Sequence, residues 1–123
     1  MIDPRLLDAI GDFLFPRLNG VRPFVLGLAG SQGSGKSTLA AELAQRYGGV
    51  SLSLDDVYLT RNERAALARN IHPLFATRGA PGTHDLGLLS RVLNTLETAT
   101  YVSETALPAF DKLADERLPS DQW

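Results

Sequence analysis

The run Gly30-Ser31-Gln32-Gly33-Ser34-Gly35-Lys36-Ser37-Thr38 constrains this chain more than any other stretch. It fits G-x-x-x-x-G-K-[ST], the loop whose backbone N–H groups close around a phosphate. Ahead of it, Phe24-Val25-Leu26-Gly27-Leu28-Ala29 is apolar throughout and predicts a buried strand. Behind it, Leu39, Leu43 and Tyr47, with Ala40 and Ala44 between, recur at helical spacing. Strand, glycine loop and helix together turn N–H groups and a helix N-terminus toward one anion. Gly30, Gly33 and Gly35 permit positive φ and let phosphate oxygens reach the backbone. Lys36 can set an ammonium between the β- and γ-phosphates, and Ser37 can offer a hydroxyl to Mg²⁺. Ser31, Ser34 and Thr38 complete the nucleotide-binding set. The plainer alternative is a glycine-rich turn with a solvated lysine, and the flanking elements argue against it. By itself the loop means a bound nucleoside triphosphate, and does not separate kinases from GTPases or motor ATPases.

Composition removes several function classes. At 123 residues the chain predicts one domain at most, and 44% hydrophobic with 21% charged content is ordinary for a globular protein. A net charge of −2 without a lysine- or arginine-rich block argues against nucleic acid or an anionic membrane as main partner. Without cysteine there are no disulfides, thiolate metal sites or cysteine nucleophiles. No apolar leader and no run approaching a membrane span is present, so a cytoplasmic enzyme is expected.

Residues 1–20 predict an N-terminal helix packed on the domain, with Asp3 as N-cap, Pro4 as first helical residue and an apolar stripe Leu6, Leu7, Ile10 and Leu14. Residues 21–123 form the domain itself. Gly48-Gly49 stops the P-loop helix, and Val50-Ser51-Leu52-Ser53-Leu54 alternates like a second strand. Thr60-Arg61-Asn62-Glu63 has the capping-box pattern and opens a short helix ended by His72-Pro73, with Arg61, Arg64 and Arg69 on its solvated face. A further helix runs from Leu86 to Glu97, residues 100–107 are a weak strand candidate, and the last dozen residues read as loop. Strands alternating with helices predict an α/β fold: a P-loop NTPase-type parallel sheet with flanking helices and the P-loop strand at its centre.

The second strand ends in Asp55-Asp56-Val57-Tyr58, where carboxyl ends of parallel strands open onto a ligand crevice. A carboxylate there can accept a proton from an attacking hydroxyl, or hold Mg²⁺ through water. It can also be a solvated turn or an N-cap. Following a P-loop helix, Asp55 is the candidate general base, with Ser37 and Asp55 the candidate Mg²⁺ residues.

Four segments carry a family resemblance: the P-loop from Gly27 to Thr38; Ser53-Leu54-Asp55-Asp56-Val57-Tyr58-Leu59-Thr60; the stretch His72-Pro73-Leu74-Phe75-Ala76-Thr77-Arg78-Gly79-Ala80-Pro81-Gly82-Thr83-His84-Asp85; and Pro108-Ala109-Phe110-Asp111-Lys112 with Arg117 beyond it. In order and approximate spacing they resemble the D-glycerate 3-kinase family of P-loop kinases, which is related to uridine kinase, pantothenate kinase and phosphoribulokinase. Val57 stands where an aromatic is more usual. The resemblance implies transfer of the ATP γ-phosphoryl group to a hydroxyl of D-glycerate, with ATP and Mg²⁺ required, Lys36 and Asp55 catalytic, and a small hydroxy acid as the second substrate. Arg78, His84, Asp111, Lys112 and Arg117 match positions expected to line the acceptor site, and Asp56, Tyr58 and Asp85 join them as candidates. The chemistry is sensible, because a small carboxylate needs Arg or Lys to neutralise it. Asp85 can equally be the N-cap of the next helix, and Asp111-Lys112 a plain surface pair.

Relatives of this kind continue into another strand ending in an acidic Mg²⁺ residue, a lid and adenine-contacting segments, and no such later strand occurs here. The reading is therefore the N-terminal half of a kinase. Its P-loop strand would keep an apolar edge open to self-association or a complementing chain. The competing reading is a non-catalytic nucleotide-binding or interaction module without the lid and the last Mg²⁺ carboxylate.

Overall fold

The computed structural model describes residues 1–100 and 102–123, and the chain divides into two compact units, residues 1–51 and 52–123. Among the described residues no helix is long and apolar enough to cross a membrane.

The first unit is two helices and the loop between them. Helix α1 spans Pro4–Leu14, started by Asp3, whose side chain accepts from the Arg5 N–H at 2.9 Å, and by Pro4 at the first helical position. Leu7 and Leu14 of the expected stripe are buried, while Leu6 is exposed. A 3-10 turn at Phe15–Arg17 follows. Helix α2 spans Lys36–Tyr47, buries Leu43, and ends at Gly48 in the left-handed conformation, whose N–H returns to the Ala44 carbonyl. The two helices approach closely at Gly11, where a Cβ would lie 2.7 Å from the Tyr47 hydroxyl. Glycine is there for space.

The parallel sheet expected from the sequence is not formed among the described residues. Neither residues 24–29 nor residues 50–54 join a ladder. Phe24 and Val25 are exposed where a central strand would bury them, while Leu26 and Leu28 are half-buried. An apolar run states a preference for burial; a strand forms only where another segment takes up its N–H and C=O groups. The expected second strand also ends differently. Ser53 caps a 3-10 turn at Leu54–Val57, so Asp55 and Asp56 sit in a helical turn.

The second unit follows its local signals more closely. Helix α3 spans Arg61–Asn70 and begins with the full capping box: the Glu63 N–H donates to Thr60 Oγ1 at 3.2 Å, and the Thr60 N–H to Glu63 Oε2 at 3.0 Å. His72 Nδ1 accepts from the Leu74 N–H and starts a 3-10 turn at Pro73–Ala76. Helix α4 spans Leu86–Glu97, with Leu88 and Val92 packed on Val57, and Leu52, Leu89, Leu96, Leu107 and Trp123 around them. The weak strand candidate at residues 100–107 forms no strand among the described residues, and Tyr101 lies outside them. The last dozen residues, expected to be loop, hold one strand of the ladder that does form, and the other lies just before them. Strands β1 (Phe110–Asp111) and β2 (Glu116–Arg117) pair antiparallel, Phe110 opposite Arg117, and a 3-10 turn covers Ser120–Gln122. Asp111 Oδ1 accepts from the N–H groups of Leu113 and Ala114, and Asp115 takes φ +54°, a region that aspartate tolerates.

Arg64 is the main correction within α3. Arg61 and Arg69 are exposed as expected, but Arg64 is 1% exposed. Its guanidinium donates to the carbonyls of Leu59 (3.1 Å), Ala76 (2.9 Å) and Asp115 (2.8 Å), and pairs with the Asp115 carboxylate at 3.0 Å. A buried arginine is stable only when its fork of donors is filled, and here it is. Arg64→Ala is expected to destabilise the second unit by about 3 kcal/mol, because three carbonyls lose their donor together. Urea unfolding followed by the emission of the single tryptophan, Trp123, measures this. Arg61→Ala and Arg69→Ala should stay within about 0.5 kcal/mol of wild type.

Candidate functional site

The P-loop has the backbone its sequence asks for. Gly33 (φ +77°) and Gly35 (φ +89°) lie in the left-handed region, and Gly35 is the N-cap of α2. A Cβ on Gly30 would stand 2.9 Å from Ser34 Oγ, so a side chain there would fill the loop. The turn closes with the Ser34 N–H on the Ser31 carbonyl at 3.2 Å. Lys36 folds back over it, its Nζ donating to the carbonyls of Gly30 (2.7 Å) and Ser31 (2.9 Å). Ser37 and Thr38 stand exposed in the first turn of α2. These features suit a polyphosphate: a glycine-rich turn, a helix N-terminus, and an ammonium already held at the loop. Ser37 is a hard oxygen donor of the kind Mg²⁺ takes. Among the described residues no group of three His, Cys, Asp or Glu side chains could hold a metal on its own.

The second unit gathers most of the candidate acceptor residues around Tyr58. The Tyr58 ring is buried, stacks on His84 with centroids 4.3 Å apart, and meets Phe110 edge-on at 5.6 Å. A β-bridge joins Tyr58 to His84, and flanking it the Leu59 N–H donates to the Thr83 carbonyl and the Asp85 N–H to the Val57 carbonyl. The Arg78 guanidinium lies over the rings of Phe110 (5.2 Å) and Tyr58 (6.0 Å) and pairs with Asp115 at 3.2 Å. Arg117 Nη2 donates to the Tyr58 carbonyl at 2.8 Å and to Asp85 Oδ2 at 3.1 Å. Lys112, between β1 and β2, reaches Asp55 Oδ2 at 2.9 Å.

Several of these residues have structural duties that the sequence left open. Asp85 does cap α4, its Oδ1 accepting from the Leu88 N–H at 2.9 Å, while its other oxygen faces Arg117. Asp111 spends Oδ1 on its own turn. Lys112 does not pair with its neighbour Asp111 but crosses to Asp55. Asp56 is half-buried beside Asp55, and its N–H closes the turn onto the Ser53 carbonyl. Sequence reading missed Phe110 and Asp115, which share Arg78 with this cluster. The signals were the motif from Pro108 to Lys112, which holds Phe110 without marking its role, and the Asp111-to-Asp115 turn, too short to show periodicity.

Two protonation states are biased. The Lys112 ammonium holds the Asp55 carboxyl below the usual carboxylate range, against a smaller opposing effect of burial. Burial pushes the Tyr58 phenol up, and the charge of Asp55 adds to it.

Comparison with known proteins agrees with the motifs. The chain is similar to the uncharacterized kinase mug58 of Schizosaccharomyces pombe, at 43% identity over 116 residues, spanning 87% of this chain and 41% of that protein. It is similar to the probable ATP-dependent kinase TDA10 of Saccharomyces cerevisiae at 36% identity over 103 residues, spanning 73% of this chain and 36% of that one. A solved D-glycerate 3-kinase from Cryptococcus neoformans var. grubii shares its fold, with TM-score 0.72 and 30% identity over 91% of this chain and 44% of that chain. No protein-family model matches. The fold and the glycine loop thus define a relative of the P-loop kinases. More narrowly, the chain is a homologue of the mug58 and TDA10 kinases with a D-glycerate 3-kinase among its structural neighbours, which bears out the family resemblance of its motifs. It spans about two fifths of the length of those curated relatives.

The Asp55–Lys112 pair gives a direct prediction. A carboxylate whose pKa is depressed on folding contributes stability above its unfolded pKa, and loses it as pH falls through the lower folded value. Carbon NMR of the Asp55 carboxyl should therefore titrate below about 3.9. In Lys112→Ala the midpoint should climb back toward that value. An unchanged midpoint would show that Lys112 does not set it.

Proposed function

We propose that this chain carries the phosphate cradle and acceptor residues of an ATP-dependent small-molecule kinase, which transfers the ATP γ-phosphoryl group to a hydroxyl of D-glycerate. The observation that carries this reading is the P-loop, with Gly33 and Gly35 left-handed and Lys36 folded over the turn. Its support is the match of over nine tenths of the chain to a D-glycerate 3-kinase.

In this reading the backbone N–H groups of residues 30–36 bind the β- and γ-phosphates, and Lys36 leaves its two carbonyls to neutralise them. Ser37, beside the phosphates at the start of α2, would hold Mg²⁺, which when bound draws charge from the transferring phosphoryl group. Asp55 accepts the proton of the attacking hydroxyl. Arg78, Arg117 and Lys112 supply positive charge for the acceptor carboxylate, with His84 and Tyr58 as its wall. Orientation and charge stabilisation are the main demands of phosphoryl transfer, and these residue types meet them.

Mg·ATP binding by calorimetry and ADP release with D-glycerate test the reading. Lys36→Ala should lose ATP binding, by about 100-fold or more if roughly 3 kcal/mol of charge-assisted contact goes with the ammonium. Asp55→Asn should bind ATP within about twofold of wild type and lose D-glycerate-dependent release. Strong loss of ATP binding in Asp55→Asn would make that residue chiefly a metal ligand. ATP binding with no release at any D-glycerate concentration would leave a nucleotide-binding module.

A further inference from the structure

Ion pairs in the second unit are built in two ways. Arg64 and Arg117 are fixtures: each is largely buried and donates to backbone carbonyls as well as to its carboxylate. Lys112 and Asp55 are the opposite case. Their side chains are 62% and 49% exposed, and among the described residues Lys112 Nζ donates to nothing but Asp55 Oδ2. An exposed pair of this kind contributes at most about 1 kcal/mol, so it is the first to yield to a competing charge. The backbone around Lys112 is nonetheless set. Asp111 Oδ1 holds the turn through the Leu113 and Ala114 N–H groups, while Leu113 itself is fully exposed. The ammonium is thus held by one exposed contact on a fixed base.

Among the described residues, two buried donors in the same unit lack an acceptor, Arg78 Nη1 and Arg117 Nε. Arg78 lies over the Tyr58 ring and Arg117 donates to the Tyr58 carbonyl. The Tyr58 phenol in turn feels the charges of Asp55, Arg78 and Lys112. An anion arriving beside Tyr58 therefore comes under the positive charge of these two arginines, which favours it, and the negative charge of the Asp55 carboxylate, which repels it. Moving Lys112 from Asp55 to the newcomer sets an attraction against that repulsion, at the cost of only an exposed pair.

We infer that Lys112 is an exchangeable partner: an acceptor bearing a carboxylate takes over its ammonium and releases Asp55, whose oxygen then accepts a hydrogen bond from the acceptor's hydroxyl. The inference rests on the acceptor reading given above and adds a selection rule to it. A molecule must carry both a carboxylate and a hydroxyl to complete the exchange, so a hydroxy acid is favoured over a neutral polyol such as glycerol. Lys112 thereby contacts the acceptor's carboxylate and is a substrate-binding residue whose availability Asp55 controls.

A double-mutant cycle on D-glycerate binding to the full chain tests it, by calorimetry. Freeing Lys112 with Asp55→Asn should tighten D-glycerate by about two- to fivefold, the worth of an exposed pair. Lys112→Ala should weaken it, and in that background Asp55→Asn should bring no gain. Glycerol should show no gain in Asp55→Asn. Lys112→Gln, with the Trp123 emission of wild type as a check on folding, should behave as Lys112→Ala does. A gain that persists without Lys112 would mean simple repulsion by Asp55 and overturn the exchange alone. D-glycerate binding that Asp55→Asn leaves unchanged would do the same. No D-glycerate binding by either wild type or Asp55→Asn would overturn the acceptor reading, and the exchange with it.

Discussion

One guanidinium organises the second unit. Arg64 leaves α3 and reaches the carbonyls of Leu59, Ala76 and Asp115 and the Asp115 carboxylate. Those groups lie before the helix, after it, and in the hairpin far along the chain. A lysine could not replace it, because one compact ammonium cannot fill a planar fork of acceptors. Holding Asp115 in place also holds the hairpin, and from that hairpin come Phe110, Lys112 and Arg117. Asp115 accepts from Arg78 as well, so the residues around Tyr58 are secured from the same point.

The first unit depends on a different constraint, the left-handed backbone at Gly33 and Gly35. An L-residue with a Cβ would resist that conformation by roughly 1–2 kcal/mol at each position. With glycine the loop turns back on the helix start, and Lys36 can satisfy two of its carbonyls. The same geometry that suits a phosphate also gives the lysine something to hold when none is near. Its ammonium is positioned by the loop rather than by a distant carboxylate.

Much of the local structure was legible because the rules that start and stop helices act over three or four residues. Asp3, the Thr60–Glu63 box, Asp85 and Gly48 mark ends of helices where the sequence puts them. The candidate site was partly legible through motifs that bring Asp55, Tyr58, Arg78, His84, Asp85, Lys112 and Arg117 into one unit. What failed was the inference about which segments pair as strands. Residues 24–29 and 50–54 look like strands and join no ladder, while a two-residue ladder at Phe110 and Arg117 carried no periodic signal. Arg64 was indistinguishable from Arg61 and Arg69 on the same short helix, yet it alone of the three is buried.

The sequence by itself determined the chemistry available: a loop that must curl because of its glycines, a lysine and a serine next to a helix start, and no cysteine. It determined helix ends for the same reason, since caps and left-handed glycines are satisfied by near neighbours. Tertiary structure decided the charges. It set Asp85 both on its helix end and against Arg117, turned Asp111 into a turn residue, and joined Lys112 to Asp55. Those assignments depend on burial and on partners tens of residues away, and no spacing rule within a single element can supply them.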